Sequence, residues 1–230
     1  MFYHFDPMYF WFIAPAFLLG LWAQFRIRAA YNQAQQLAAP LSGAAAARHI
    51  LDSAGLRNVQ IEEIPGHLSD HYDPRQKVLR LSPEVYESRT LAAVGIAAHE
   101  SGHAIQDAHA YAPLVVRNAA VPAAGIGTYA SFPLIILGAI LNMNPVLIWL
   151  GIGLFSAVVA FQLVNLPVEF DASARAKVQL VSLGIINDEE LTYVSKVLNA
   201  AALTYVAATL SAILTLLYYV MRFTGGSNRD

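Results

Sequence analysis

Four uncharged apolar runs constrain this chain before any other feature does. Residues 9–25, 119–141, 145–166 and 200–221 contain no Asp, Glu, Lys or Arg. At a rise of about 1.5 Å per helical residue, such runs match the roughly 30 Å hydrocarbon core of a bilayer. Tyr9, Trp11 and Trp22 suit the two interfaces of the first run. A secretory leader would carry basic residues ahead of its apolar stretch, and residues 1–8 hold no Lys or Arg. The first run is therefore expected to be an uncleaved anchor. Composition agrees: 57% of residues are hydrophobic and 13% charged, against roughly 45–50% and 25% in soluble domains. Mean hydropathy is +0.46. A freely soluble globule and a disordered chain are both excluded. The net charge of −2 offers no basic footprint for nucleic acid, and the absence of cysteine rules out thiol nucleophiles and thiolate ligands.

The expected fold is mainly α, an integral membrane protein with four transmembrane helices and a small cytoplasmic β insertion. Residues 1–25 form the anchor and 26–118 a first cytoplasmic segment. Residues 119–166 form a membrane hairpin turned at Asn142-Met143-Asn144. Then come a cytoplasmic helix at 167–199, a last spanning helix at 200–222 and a disordered tail at 223–230. Twelve of the 14 Lys and Arg lie in 26–122 and 167–199. The positive-inside rule puts both segments in the cytoplasm and both termini outside. An even number of spans separates the two, so their polar residues share one side of the membrane.

Ser42 ahead of Gly-Ala-Ala-Ala-Ala-Arg-His reads as an N-capped helix stopped near Gly55. Residues 59–64 and 77–81 alternate apolar and polar, as half-buried strands do, and Asp73-Pro74-Arg75-Gln76 has turn chemistry. A small antiparallel sheet is expected. Ser82-Pro83-Glu84 is a further helix start.

Residues 99–103 read His-Glu-Ser-Gly-His, directly behind an apolar helix-forming stretch at 91–98. Positions i and i+4 share a helix face, so His99 and His103 can aim ring nitrogens at one ion. Glu100, about 100° further round, can reach a metal-bound water without being a ligand. This is the pattern of zinc-assisted hydrolysis, with one Zn2+ per chain and the carboxylate as base. Catalytic zinc sites take three protein ligands, and the topology returns Glu169 and Asp171 to the side that holds the histidines. Glu169 is the favoured third ligand, with Asp171 the alternative. The carboxylate not used would orient a histidine or pair Arg175. Asp188, Glu189 and Glu190 read as the solvated start of a helix.

Four segments in order carry a family resemblance. They are Gly-His-Leu-Ser-Asp-His-Tyr-Asp-Pro at 66–74, Val-Leu-Arg-Leu-Ser at 78–82, His-Glu-Ser-Gly-His-Ala-Ile-Gln at 99–106, and Leu-Pro-Val-Glu-Phe-Asp-Ala-Ser at 166–173. Over residues 1–222 the chain resembles the YugP-type neutral zinc metallopeptidases of bacterial membranes, similar in layout to HtpX-type gluzincins. The resemblance implies a zincin-like active-site helix, zinc on His99, His103 and Glu169, Glu100 as base, and a protein or peptide substrate at a bacterial inner membrane. HtpX-type proteins place an acidic residue four positions after the glutamate. Here that position is Ser173, and Asp171 is the expected substitute in the supporting role.

Peptide hydrolysis also needs a donor to the developing oxyanion, for which His67, His71, Tyr72 and Arg175 are candidates. His67 and His71 are at i,i+4, but the run between them reads as loop, so a second metal site is not expected. The strand at 77–81 offers an edge to an extended peptide. His109 falls about 240° round the helix from His103, away from the metal. Asn165 and Pro167 are expected to break the third span. Two rival readings remain. One is a site-two-type intramembrane protease with Asp171 as ligand, and the other a non-enzymatic zinc-stabilised scaffold. A transporter is disfavoured because the spans hold almost no ionisable residue.

Overall fold

The computed structural model describes residues 7–224, so the tail expected to be disordered lies mostly outside the described residues. The elements are α1 (Pro7–Gln35), α2 (Gly43–Ser53), β1 (Gln60–Glu63), β2 (His71–Asp73), β3 (Val78–Leu81), α3 (Pro83–Glu87), α4 (Leu91–Ala108), α5 (Ala112–Ile140), α6 (Pro145–Ser182) and α7 (Asp188–Thr224). Four of them, α1, α5, α6 and α7, are long and apolar enough to cross a membrane. The protein is a mainly α membrane protein with one small sheet.

Two compact units divide the chain. One comprises Met1–Trp22, Val116–Leu166 and Thr204–Asp230. Its apolar surface faces outward, as Trp11, Tyr129 and Val146 illustrate, which suits a lipid solvent. Inside it Ile135, Ile148 and Ile152 pack with Leu216, Tyr219 and Phe223. The α5–α6 turn places Asn142 and Met143 in the left-handed region, at φ 52° and 58°. Asn144 then caps α6, its Oδ1 accepting from the backbone N–H groups of Val146 and Leu147.

The other unit comprises Ala23–Val115 and Pro167–Leu203. Its α2 forms as the sequence suggests: Ser42 accepts from Ala45 N, and Gly55 takes φ +77° just past the end. The sheet differs from expectation. β3 lies in the middle, parallel to β1 and antiparallel to β2, in the order β1-β3-β2. The two alternating segments are thus parallel, and the third strand at His71–Asp73 is too short to show a period. β3 is paired on both sides and has no free edge, so a peptide could add only at β1 or β2. Ser82 starts α3 without capping it. Its N–H and hydroxyl are taken by the Asp70 carboxylate instead.

Two further corrections concern the long helices. α6 runs unbroken through Asn165 and Pro167, because a proline costs one backbone donor and neighbouring turns hold the rest. Residues 167–199 are not one helix but the end of α6, a turn, and the start of α7. Asn187 and Glu190 form a reciprocal cap there, each side chain accepting from the other's backbone N–H, and Asp188, Glu189 and Glu190 occupy the first turn. At about 1.5 Å per residue α6 is roughly 57 Å long, nearly twice a bilayer core.

Candidate metal centre

α4 is buried on almost every face, its apolar first half and the polar residues of its second half alike. Thr90 caps its start by accepting from Ala93 N. Leu91, Val94, Ala98 and Ile105 enter one apolar cluster with Ala176 and Leu180 of α6 and Val194 of α7. Ala97 and Ala104 enter a second, with Leu79 and Leu81 of β3 and Leu51 of α2. The helix that carries His99, Glu100 and His103 is thereby held by side chains with no polar role.

α6 meets α4 at Gly102. A Cβ built there would lie 2.6 Å from the Ala172 carbonyl oxygen and 3.2 Å from its Cα. Only glycine admits this approach, which brings the residues around Ala172 onto the two histidines. Gly102→Ala is expected to force α6 away, at an overpacking cost of about 1–3 kcal/mol, and to weaken zinc binding. Thermal unfolding and chelator competition check this. Wild-type values for both would mean that the close approach does not set the ligand geometry.

The result is a cluster of His99, His103 and Glu169 whose ligand atoms lie within 4.8 Å of one another. It is the one such group of three among the described residues. Glu169 Oε2 is 3.3 Å from His99 Nε2 and 3.7 Å from His103 Nε2. Two ligands at zinc's usual bond lengths and tetrahedral angle stand about 3.4 Å apart. Oε2 is buried yet has no hydrogen-bond partner. A buried carboxylate oxygen facing two imidazole nitrogens, with no donor of its own, is what a cation would satisfy. The residues therefore fit zinc.

Glu100 is buried beside this cluster. Burial pushes its carboxyl above the ordinary glutamate range; His99 and His103 oppose the shift, while Glu169 and Asp70 add to it. For His103, burial alone would lower the affinity for a proton, but Glu169 and Glu100 outweigh it and the net direction is upward. A proton on its ring thus competes with a metal.

Partners of the ligands lie one step further out. His103 Nδ1 faces Gln106 Oε1 at 3.0 Å. Gln106 Nε2 donates to Val168 O and to Asp171 Oδ2, both at 2.8 Å. Arg175 Nε donates to the same Asp171 oxygen, and its guanidinium sits over the Tyr111 ring. His99 Nδ1 lies 3.1 Å from Ser173 Oγ. Asp171 therefore reaches His103 through Gln106, while Ser173 itself meets His99. Neither Gln106 nor Ser173 has such a role in the sequence reading. The available signal was spacing: Gln106 falls three residues after His103, and Ser173 four after Glu169, each on its neighbour's helix face.

The remaining candidates lie apart from the ligands. Tyr72 donates to Asp107 Oδ2 at 2.9 Å, and burial with that bond pushes its hydroxyl well above the ordinary tyrosine range. His71 Nδ1 meets Ser69 O, and exposed His67 pairs with Glu84. His109 is the exposed C-cap of α4.

Comparison with known proteins bears on this geometry. The family model described as "Putative neutral zinc metallopeptidase" matches residues 9–224. The chain is similar to the "Putative membrane protease YugP" of Bacillus subtilis (strain 168), 45% identical over 214 residues, covering 92% of this chain and 95% of the relative. No solved structure matches the chain. With the family model covering nearly the whole sequence around the His99–His103–Glu169 cluster, this chain belongs to the neutral zinc metallopeptidase family.

Proposed function

We propose that this protein is a zinc metalloendopeptidase of the gluzincin type, hydrolysing peptide bonds at the cytoplasmic face of a bacterial inner membrane. The observation that carries the reading is the buried Glu169 Oε2, without a hydrogen-bond partner and facing both histidine Nε2 atoms. His99, His103 and Glu169 would hold the ion. When bound, zinc in such a site acidifies water and polarises the scissile carbonyl. Glu100 accepts the proton of the attacking water and returns it to the leaving amine, a role its burial suits by raising its basicity. The burial of Glu100, His103 and Glu169 strengthens the charge interactions among them.

The name of the relative supports a membrane protease, and the Lys and Arg distribution supports the cytoplasmic placement. Proteins in or beside the bilayer are the substrates this location favours. The test is metal removal on the purified full-length protein. Wild type should carry one zinc per chain and cleave an unfolded test protein. A chelator should abolish cleavage, and added zinc should restore it. A folded wild type with no affinity for zinc would sink the proposal.

A further inference from the structure

We propose that Gln106 is a positioning residue that fixes His103 in its metal-binding tautomer through an amide relay to Asp171. This rests on the metal centre of the preceding reading and adds to it a device that selects which ring nitrogen is free.

Gln106 is fully buried, so each polar atom of its amide needs a partner. Three groups surround it: Val168 O, Asp171 Oδ2 and His103 Nδ1. The first is a carbonyl and can only accept. The second already accepts from Arg175 and can only accept as well. The amide must therefore turn its NH2 toward these two, which consumes both of its hydrogens. Its oxygen is left facing His103 Nδ1, and an oxygen there requires Nδ1 to carry the proton. Nε2 then keeps its lone pair, and Nε2 is the atom facing Glu169. Flipping the amide would set an oxygen against two acceptors and lose both of those bonds, keeping only a donation to Nδ1 of the opposite tautomer.

The chain makes this choice at His103 and not at His99. The Ser173 hydroxyl can donate or accept, so its contact with His99 Nδ1 selects no tautomer. The relay also joins the two helices beside the site, since Val168 precedes Glu169. The Arg175–Asp171 pair anchors the far end, and Arg175 is itself held over Tyr111. The charge of Asp171 is thus applied to His103 through a neutral amide, which orients the ring without placing a second carboxylate against it.

The test uses the full-length protein with 15N-labelled histidine, first metal-free and then titrated with zinc against a competing chelator. The His103 ring signals are assigned by their absence in His103→Asn. At a pH where the ring is neutral, wild type should show His103 as the Nδ1–H tautomer. Gln106→Met should give a mixture of tautomers and zinc binding weaker by about 10–100-fold, with the fold retained by circular dichroism. A variant that keeps the Nδ1–H tautomer and wild-type zinc affinity overturns the proposal. If Gln106→Met does not fold, Gln106→Glu decides the matter. It leaves an acceptor for His103 but faces Asp171 and Val168 O with no proton to give. Adding Asp171→Asn returns a donor to that contact, and the double variant should recover the Nδ1–H tautomer and most of the zinc affinity. A double variant no better than Gln106→Glu alone overturns the relay. Tautomer state is read without metal, so a wild type that binds no zinc would end the protease reading while the ring signals still judge Gln106.

Discussion

Glu100→Gln is expected to keep zinc bound and to lower peptide hydrolysis by about 10²–10⁴-fold, the usual contribution of a positioned general base. The substitution preserves shape in a buried position, so folding should be little affected. Glu100 lies outside the three-residue metal cluster, so zinc content should match wild type. What is lost is the acceptor for the proton of the attacking water. The measurement is zinc content and cleavage of an unfolded protein on the same sample. A scaffold that merely needs zinc for its fold predicts that the protein's function survives unchanged. Cleavage at the wild-type rate by the zinc-loaded variant would remove Glu100 from the chemistry, whereas no cleavage by the zinc-loaded wild type would favour that scaffold.

The membrane helices and the pair of candidate metal-ligating histidines are legible in the sequence because each follows from a period or a length. Uncharged runs mark four spanning helices, and i,i+4 spacing puts His99 and His103 on one face of α4. What escaped was set by contacts between distant residues. β1 and β3 alternate as strands should, yet nothing in alternation says whether they run parallel. Strand direction is fixed by β2, three residues inserted as an edge. Proline at 167 suggested a break, since local rules assign it one. Tertiary packing of α6 overrode that preference.

Gln106 shows the limit most clearly. Its spacing from His103 is readable, but an amide three residues past a histidine has no assigned partner until Val168 and Asp171 arrive from 62 and 65 residues away. Gly102 is similar. Within the motif it looks like a permissive filler, and only the 2.6 Å approach to Ala172 O gives it a function. The candidate site therefore needed both levels: local spacing pairs the two histidines, and the α4–α6 contact brings Glu169 to them.

That contact gives the second large effect. Glu169→Ala should weaken zinc by more than the 10–100-fold typical of losing an outer partner, and abolish cleavage with it. Asp171→Ala should leave zinc bound, with a loss within about that 10–100-fold range. The asymmetry follows from placement. Glu169 Oε2 stands between the two Nε2 atoms, whereas Asp171 Oδ2 is occupied by Gln106 and Arg175. Removing Asp171 still leaves Gln106 its bond to Val168 O, which holds the amide in much the same orientation. Removing Glu169 leaves two histidines, one short of the three protein ligands a catalytic zinc takes. Metal analysis of the two variants, each checked for folding, reads the difference directly. The opposite order, with zinc lost only from Asp171→Ala, would mean that α6 presents a different carboxylate to the ion, and the intramembrane aspartate class would then describe the site better.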